Sequence, residues 1–184
     1  MTTLADKVVA IHDSLEAAGL PHAFGGALAL AWCTRQPRGT SDIDVNVFAR
    51  TNSVRRVVEA FPPAIRATPS QLRELRATGQ VRLSWDDTPV DLFLNSSTFH
   101  QEAAGRVSYE PFGGKTLPFL SCSDLAVFKA FFDRRRDWAD LEEMLLAGTL
   151  DIEVVVAAIS KFLPPKDPRI DRLLQIQEEI GRRQ

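Results

Sequence analysis

The stretch RGTSDIDVNVF, residues 38–48, decides how this chain is read. Ile43, Val45 and Val47 alternate with polar residues, the period of a strand with one face in a core. Asp42 and Asp44 then project together, away from those three apolar side chains. Two like charges this close repel unless a cation sits between them, and hard divalent ions take oxygen ligands of this kind. An Asp-x-Asp pair standing alone has a plainer explanation, a solvated edge at the mouth of a strand.

The neighbouring sequence favours the first explanation. Downstream, QVRLSW and VDLFL flank DDTP, a turn-forming set between two apolar runs, which predicts a hairpin. Alternation in VDLFL puts Asp91 opposite Val90 and Leu92. With that strand beside the first, three carboxylates surround one point. Such a group holds one or two Mg²⁺ ions, about 4 Å apart in two-metal sites, which position a phosphoryl group and lower the pKa of an attacking hydroxyl. Upstream, PHAFGG predicts a short strand running through Gly25 and Gly26 into a buried helix, ALALAW. Without side chains at that corner, backbone amides and the helix N-terminus can approach a phosphate.

The rest of the chain supplies a scaffold. Leu4, Val8, Ile11 and Leu15 recur at helical spacing, and Gly19 and Pro21 stop that helix. Further helices are expected over 53–60 and 70–77, with weaker strand signals at VSYEPF and KTLPFL on either side of Gly113 and Gly114. Ser121 and Asp124 form a helix-start pattern, and from there the chain reads as helix in three or four segments broken at Gly148 and LPPKDP. The fold class expected is therefore α+β, a mixed sheet flanked by helices (residues 1–120) followed by a helical C-terminal part (121–184).

With 184 residues, 45% hydrophobic and 25% charged, and a formal charge of −2, the chain has the composition of an ordinary globular protein. No segment approaches the roughly 20 apolar residues of a membrane span, and the N-terminus lacks the apolar run of a signal peptide, so a cytoplasmic protein with no membrane partner is expected. Cys33 and Cys122 show neither metal-ligand spacing nor a dense disulfide pattern and are expected to be small core residues. His12, His22 and His100 are scattered, and no chemistry is assigned to them.

FGGALALAW, RGTSDIDVNVF and VDLFL, in that order, resemble the nucleotidyltransferase fold of the polymerase-beta superfamily. SDLAVFKAFFDRRRDWADLEEML resembles the helical segment of the branch containing the AbiEii-type toxins, including the MenT-type toxins. In that branch an Arg-x-Thr-x-Asp-Ile-Asp run is typical, and Arg38, Thr40, Asp42, Ile43 and Asp44 match it. A helical Lys followed by Arg-Asp and a further Asp-Leu fits Lys129, Arg136, Asp137, Asp140 and Leu141. Ala27 departs from the pattern, standing where some relatives carry serine.

The resemblance implies a Mg²⁺-dependent nucleotidyltransferase. It implies that Asp42, Asp44 and Asp91 bind the metal, with Asp91 as base toward the acceptor hydroxyl. Gly25, Gly26, Arg38, Thr40, Ser41, Lys129 and Asp137 are then expected to contact the NTP, with Lys129 also offsetting charge on the phosphates. The acceptor expected is tRNA or a protein, with a cognate antitoxin as a possible partner. The alternatives are transfer to an aminoglycoside-type antibiotic, or an inactive nucleotide- or protein-binding module of the same fold.

Overall fold

The alternation in residues 43–47 becomes a strand with Ile43, Val45 and Val47 fully buried on one face; on the other, Asp44 is half-buried and Asn46 is buried as well. The computed structural model describes residues 2–182; Met1, Arg183 and Gln184, the outer ends of the two expected parts, lie outside the described residues. Strands β1 (His22–Phe24), β2 (Ile43–Arg50), β3 (Gln80–Trp85), β4 (Thr88–Asn95), β5 (Ser108–Phe112) and β6 (Lys115–Phe119) form one mixed sheet in the order β3-β4-β2-β1-β6-β5. This is the α+β architecture expected. The chain divides into two compact units, residues 1–28 with 38–120, and residues 29–37 with 121–184.

In the first unit, β2 runs parallel to β4 and antiparallel to β1, so it sits inside the sheet. On β4, Val90, Leu92 and Leu94 are fully buried and continue the apolar face. Burying each such side chain contributes about 1.5–3 kcal/mol, and slipping either strand by one residue would turn that face to water. The hairpin is tighter than the four-residue set suggested. Only Asp86 and Asp87 turn, and Thr88 and Pro89 already belong to β4. Pro89 is tolerated because β2 begins at Ile43, opposite Val90, so no ladder partner needs the missing N–H.

Helix α1 (Leu4–Ala17) starts at a capping box, Thr3 with Asp6, and buries Val8, Ile11 and Leu15. It also buries Lys7, whose Nζ donates to Trp85 O at 3.0 Å and Thr88 Oγ1 at 2.9 Å. Helix α2 (Gly26–Thr34) follows β1 directly. Helices α3 (Val54–Glu59) and α4 (Pro69–Thr78) lie between β2 and β3, within two residues of the expected bounds. Helix α5 (Thr98–Ala103), capped by Ser97, was not expected, because six residues are too few to show a period.

The second unit contains α6 (Cys122–Phe132), α7 (Arg135–Leu146), α8 (Ile152–Ile159) and α9 (Pro168–Gly181). Its core includes Leu125, Trp138, Leu141, Met144, Val155 and Leu173, each buried to within a few per cent. Cys33 and Cys122 correct the expectation of separate core thiols, since they form a disulfide with Cα atoms 5.5 Å apart across 89 residues. A bridge depends on where two Cα atoms end up in space, which a sequence interval of that length does not encode. Disulfides persist in oxidising compartments, so the cysteines lend no support to a cytoplasmic location. Among the described residues, no helix is long and apolar enough to cross a membrane.

Candidate active site

In the parallel pairing of β2 with β4, Asp44 stands opposite Asp91. Side chains opposite each other in a ladder share a face, so the two carboxylates project to one side of the sheet. Asp42 lies just before β2, near enough for its charge to act on Arg82 of β3. Its geometry is set locally: Thr40 Oγ1 donates to Asp42 Oδ1 at 2.5 Å and to Asp42 O at 3.2 Å.

The Gly25–Gly26 corner lies against Asp44. Gly25 N–H donates to Asp44 O at 2.9 Å. Gly26 adopts φ +52°, and a Cβ there would collide with the Asp44 carboxylate and lie 3.1 Å from its Cβ. Only glycine combines that left-handed backbone with so close an approach. The same residue opens α2, so the exposed amides at a helix start adjoin a carboxylate of the cluster.

Sequence reasoning missed Arg82. On β3 it faces Asp91 across the antiparallel ladder and grips it with both ends of its fork, Nε to Oδ1 at 2.7 Å and Nη2 to Oδ2 at 2.6 Å. The bond to Asp91, its charge, and further out the charges of Asp42 and Asp44 hold the guanidinium above its ordinary pKa. The signal was available, because a two-residue turn at Asp86–Asp87 places position 82 opposite 91.

Asp44 and Asp91 therefore share one face, with Asp42 just ahead of β2, and each aspartate has a different neighbour: Gly26, Arg82 and Thr40. They are not drawn to a single point. Among the described residues the only three metal-ligating side chains whose ligand atoms all lie within 4.8 Å of one another are His12, Glu16 and His22. A set of neighbouring carboxylates is nonetheless the donor chemistry that a hard divalent cation takes. Asp91 would have to exchange Arg82 for the metal. Arg38 and Thr40 are half-buried and Ser41 exposed on the segment entering β2.

Lys129 and Asp137 lie in the second unit. Lys129 is buried, with Nζ 2.5 Å from Asp140 Oδ2 and 3.6 Å from Asp137 Oδ1. Arg134 Nε donates to the other oxygen of Asp137 at 2.7 Å. Much of the charge in DRRRDWAD is thus spent on internal pairs.

No protein-family model matches the chain, and no curated protein matches it. Solved structures do. The chain is similar to the antibiotic-resistance factor ANT(2'')-Ia in solution, with TM-score 0.61 and 12% identity over 98% of both chains. It is also similar to ANT(2'')-Ia in complex with adenylyl-2''-tobramycin, with TM-score 0.62 and 16% identity over 88% of this chain and 97% of that one. A third match is an antigenic nucleotidyltransferase-like protein from Paracoccidioides brasiliensis, with TM-score 0.52 and 14% identity over 97% of this chain and 88% of that one. At these identities the likeness is one of fold: the chain has the α+β fold of the nucleotidyltransferases.

Proposed function

We propose that the protein is a Mg²⁺-dependent nucleotidyltransferase that moves a nucleotide from an NTP to a hydroxyl. One observation carries the reading, the in-register pair Asp44–Asp91 with Asp42 immediately before the same strand, beside a glycine corner that opens a helix. Asp42 and Asp44 would hold the metal, with Asp91 completing the set. When bound, Mg²⁺ neutralises charge on the triphosphate and makes the α-phosphorus more electrophilic.

The chain's own groups supply the rest. Asp91 accepts the proton as the acceptor oxygen bonds to the α-phosphorus and the bond to the departing pyrophosphate breaks. Arg82, paired with Asp91 through both ends of its fork, positions that carboxylate. In this reading Gly26, Arg38, Thr40 and Ser41 would meet phosphate oxygens at the mouth of β2, while Gly25, whose N–H is held by Asp44 O, would keep the corner close to them. Lys129 and Asp137 could contribute to the triphosphate only by giving up their buried pairs, and we assign them a structural role.

Two acceptors have support. The Arg38-x-Thr40-x-Asp42-Ile43-Asp44 run favours tRNA or protein and a toxin held in check by an antitoxin. The likeness to ANT(2'')-Ia over nearly the whole chain favours an aminoglycoside-type drug, and an acidic cluster suits a polycationic acceptor better than a polyanion. Incubating the protein with each labelled NTP, Mg²⁺ and, separately, total tRNA or an aminoglycoside panel separates them. Label is expected in one acceptor class, with Asp44→Asn and Asp91→Asn each slowing transfer by at least about 100-fold. Growth arrest on expression, relieved by Asp42→Ala, would single out the toxin. Tight nucleotide binding with label in no RNA, protein or drug would refute the enzyme and leave a binding module.

A further inference from the structure

Two of the three histidines first passed over, His12 and His22, gather where the sequence shows no motif. We propose that His12, Glu16 and His22 form a second cation site, one that takes a single Zn²⁺-class divalent ion and ties α1 to β1. His12 and Glu16 are four residues apart on α1, hence on one face of it. The reversal through Gly19 and Pro21 returns the chain so that His22, the first residue of β1, meets them. The three ligand atoms lie within 4.8 Å of one another.

His22 is buried and oriented. Its Nδ1 is 2.8 Å from Leu20 O, which makes that nitrogen the protonated one and leaves the lone pair on Nε2. Ligating histidines are commonly fixed in this way, one nitrogen donating to a backbone carbonyl while the other faces the metal. Nε2 lies 3.0 Å from His12 Nδ1. Tetrahedral zinc with bonds of about 2.0–2.1 Å separates two nitrogen ligands by about 3.4 Å. A few tenths of an ångström of side-chain movement therefore admits the ion.

Two imidazoles and one carboxylate suit Zn²⁺ and disfavour Mg²⁺, which takes oxygen ligands. A two-His, one-carboxylate set leaves the fourth tetrahedral position open. The three residues line a cavity of about 250 Å³ together with Phe48, Tyr109 and Thr116, enough for a water or a small anion in that position. The competing account is a plain hydrogen bond from His12 Nδ1–H to His22 Nε2. In that account no metal binds and Glu16 is irrelevant.

The test is calorimetric titration of the chelator-stripped protein with ZnCl₂ in excess Mg²⁺, repeated with Co²⁺, whose visible bands report nitrogen ligation. One ion per chain is expected. His12→Ala and Glu16→Gln should each weaken binding by more than about 10-fold, beyond the low end of the effect of losing a supporting residue. Both side chains reach the surface, so both variants are expected to fold, checked by circular dichroism. Asp44→Asn should leave Zn²⁺ affinity unchanged whether or not the nucleotidyl-transfer reading holds. The proposal is overturned by absence of saturable binding, by wild-type affinity in His12→Ala or Glu16→Gln, or by loss of the ion in Asp44→Asn.

Discussion

Replacing Gly26 by alanine separates the two demands made on that residue. Its φ of +52° is one that an L side chain adopts at a cost of about 1–2 kcal/mol. Gly19 has φ +62° and nothing within 4 Å of an added Cβ, so Gly19→Ala carries the backbone cost alone. Gly26→Ala carries a similar cost and also drives a methyl group into the Asp44 carboxylate. Because Asp44 is anchored through its backbone to Gly25 N–H and to the ladder with β4, relief must come from rotating the carboxylate out of position. A displacement near 1 Å in a catalytic group costs about 100-fold in rate. Urea unfolding should therefore show both variants destabilised by a similar 1–2 kcal/mol. Nucleotidyl transfer per folded molecule should be near normal in Gly19→Ala and lower by about 100-fold in Gly26→Ala. If Gly26→Ala transfers as fast as Gly19→Ala, Asp44 does not need its observed position and the assignment of that face to catalysis fails.

Three other outcomes are expected. Cys33→Ser, or reduction of the wild type, should lower unfolding free energy by about 4–5 kcal/mol, the chain-entropy value for a loop closed across 89 residues; an unchanged urea midpoint would show that the bridge does not restrain the unfolded chain. Lys129→Met removes the buried ammonium that Asp140 and Asp137 share, Asp137 keeping its pair with Arg134, and should cost about 3–5 kcal/mol, a loss that Asp140→Asn in the same chain partly restores; no loss in the single variant would contradict the structural role. His100 is buried, which pushes its pKa down to about 4 from 6.5 against the raising effect of its bond to Leu94. The unfolded chain then binds the proton first, so stability is full above pH 6.5 and falls by up to about 3 kcal/mol as pH drops toward 4. Urea titrations of wild type and His100→Gln should differ in slope over that window, and identical slopes would rule the histidine out as the cause.

The sequence by itself determined the parts whose information is local. In IDVNVF the two-residue alternation is enough to say that Ile43, Val45 and Val47 enter the core together and that Asp44 points the other way. Leu4, Val8, Ile11 and Leu15 likewise define a helix face, and the Ser121-x-x-Asp124 pattern marks a helix start within a turn. Period and capping are properties of a few adjacent residues, so they are written in the chain whatever its fold. The α+β class follows from the order of such elements.

Tertiary structure decided what depends on chain segments meeting. Asp44 and Asp91 are 47 positions apart, and only the β2–β4 register makes them neighbours. Arg82 enters the cluster because the hairpin turn has two residues rather than four. Lys129 reads as a solvent-seeking or phosphate-seeking charge on an apolar helix, yet α7 supplies two carboxylates that bury it. The disulfide and the His12–Glu16–His22 cluster exist because a returning strand or helix brings distant atoms within bonding range. Periodicity says which way a side chain points from its own element, and nothing in it says what other element will be there to receive it.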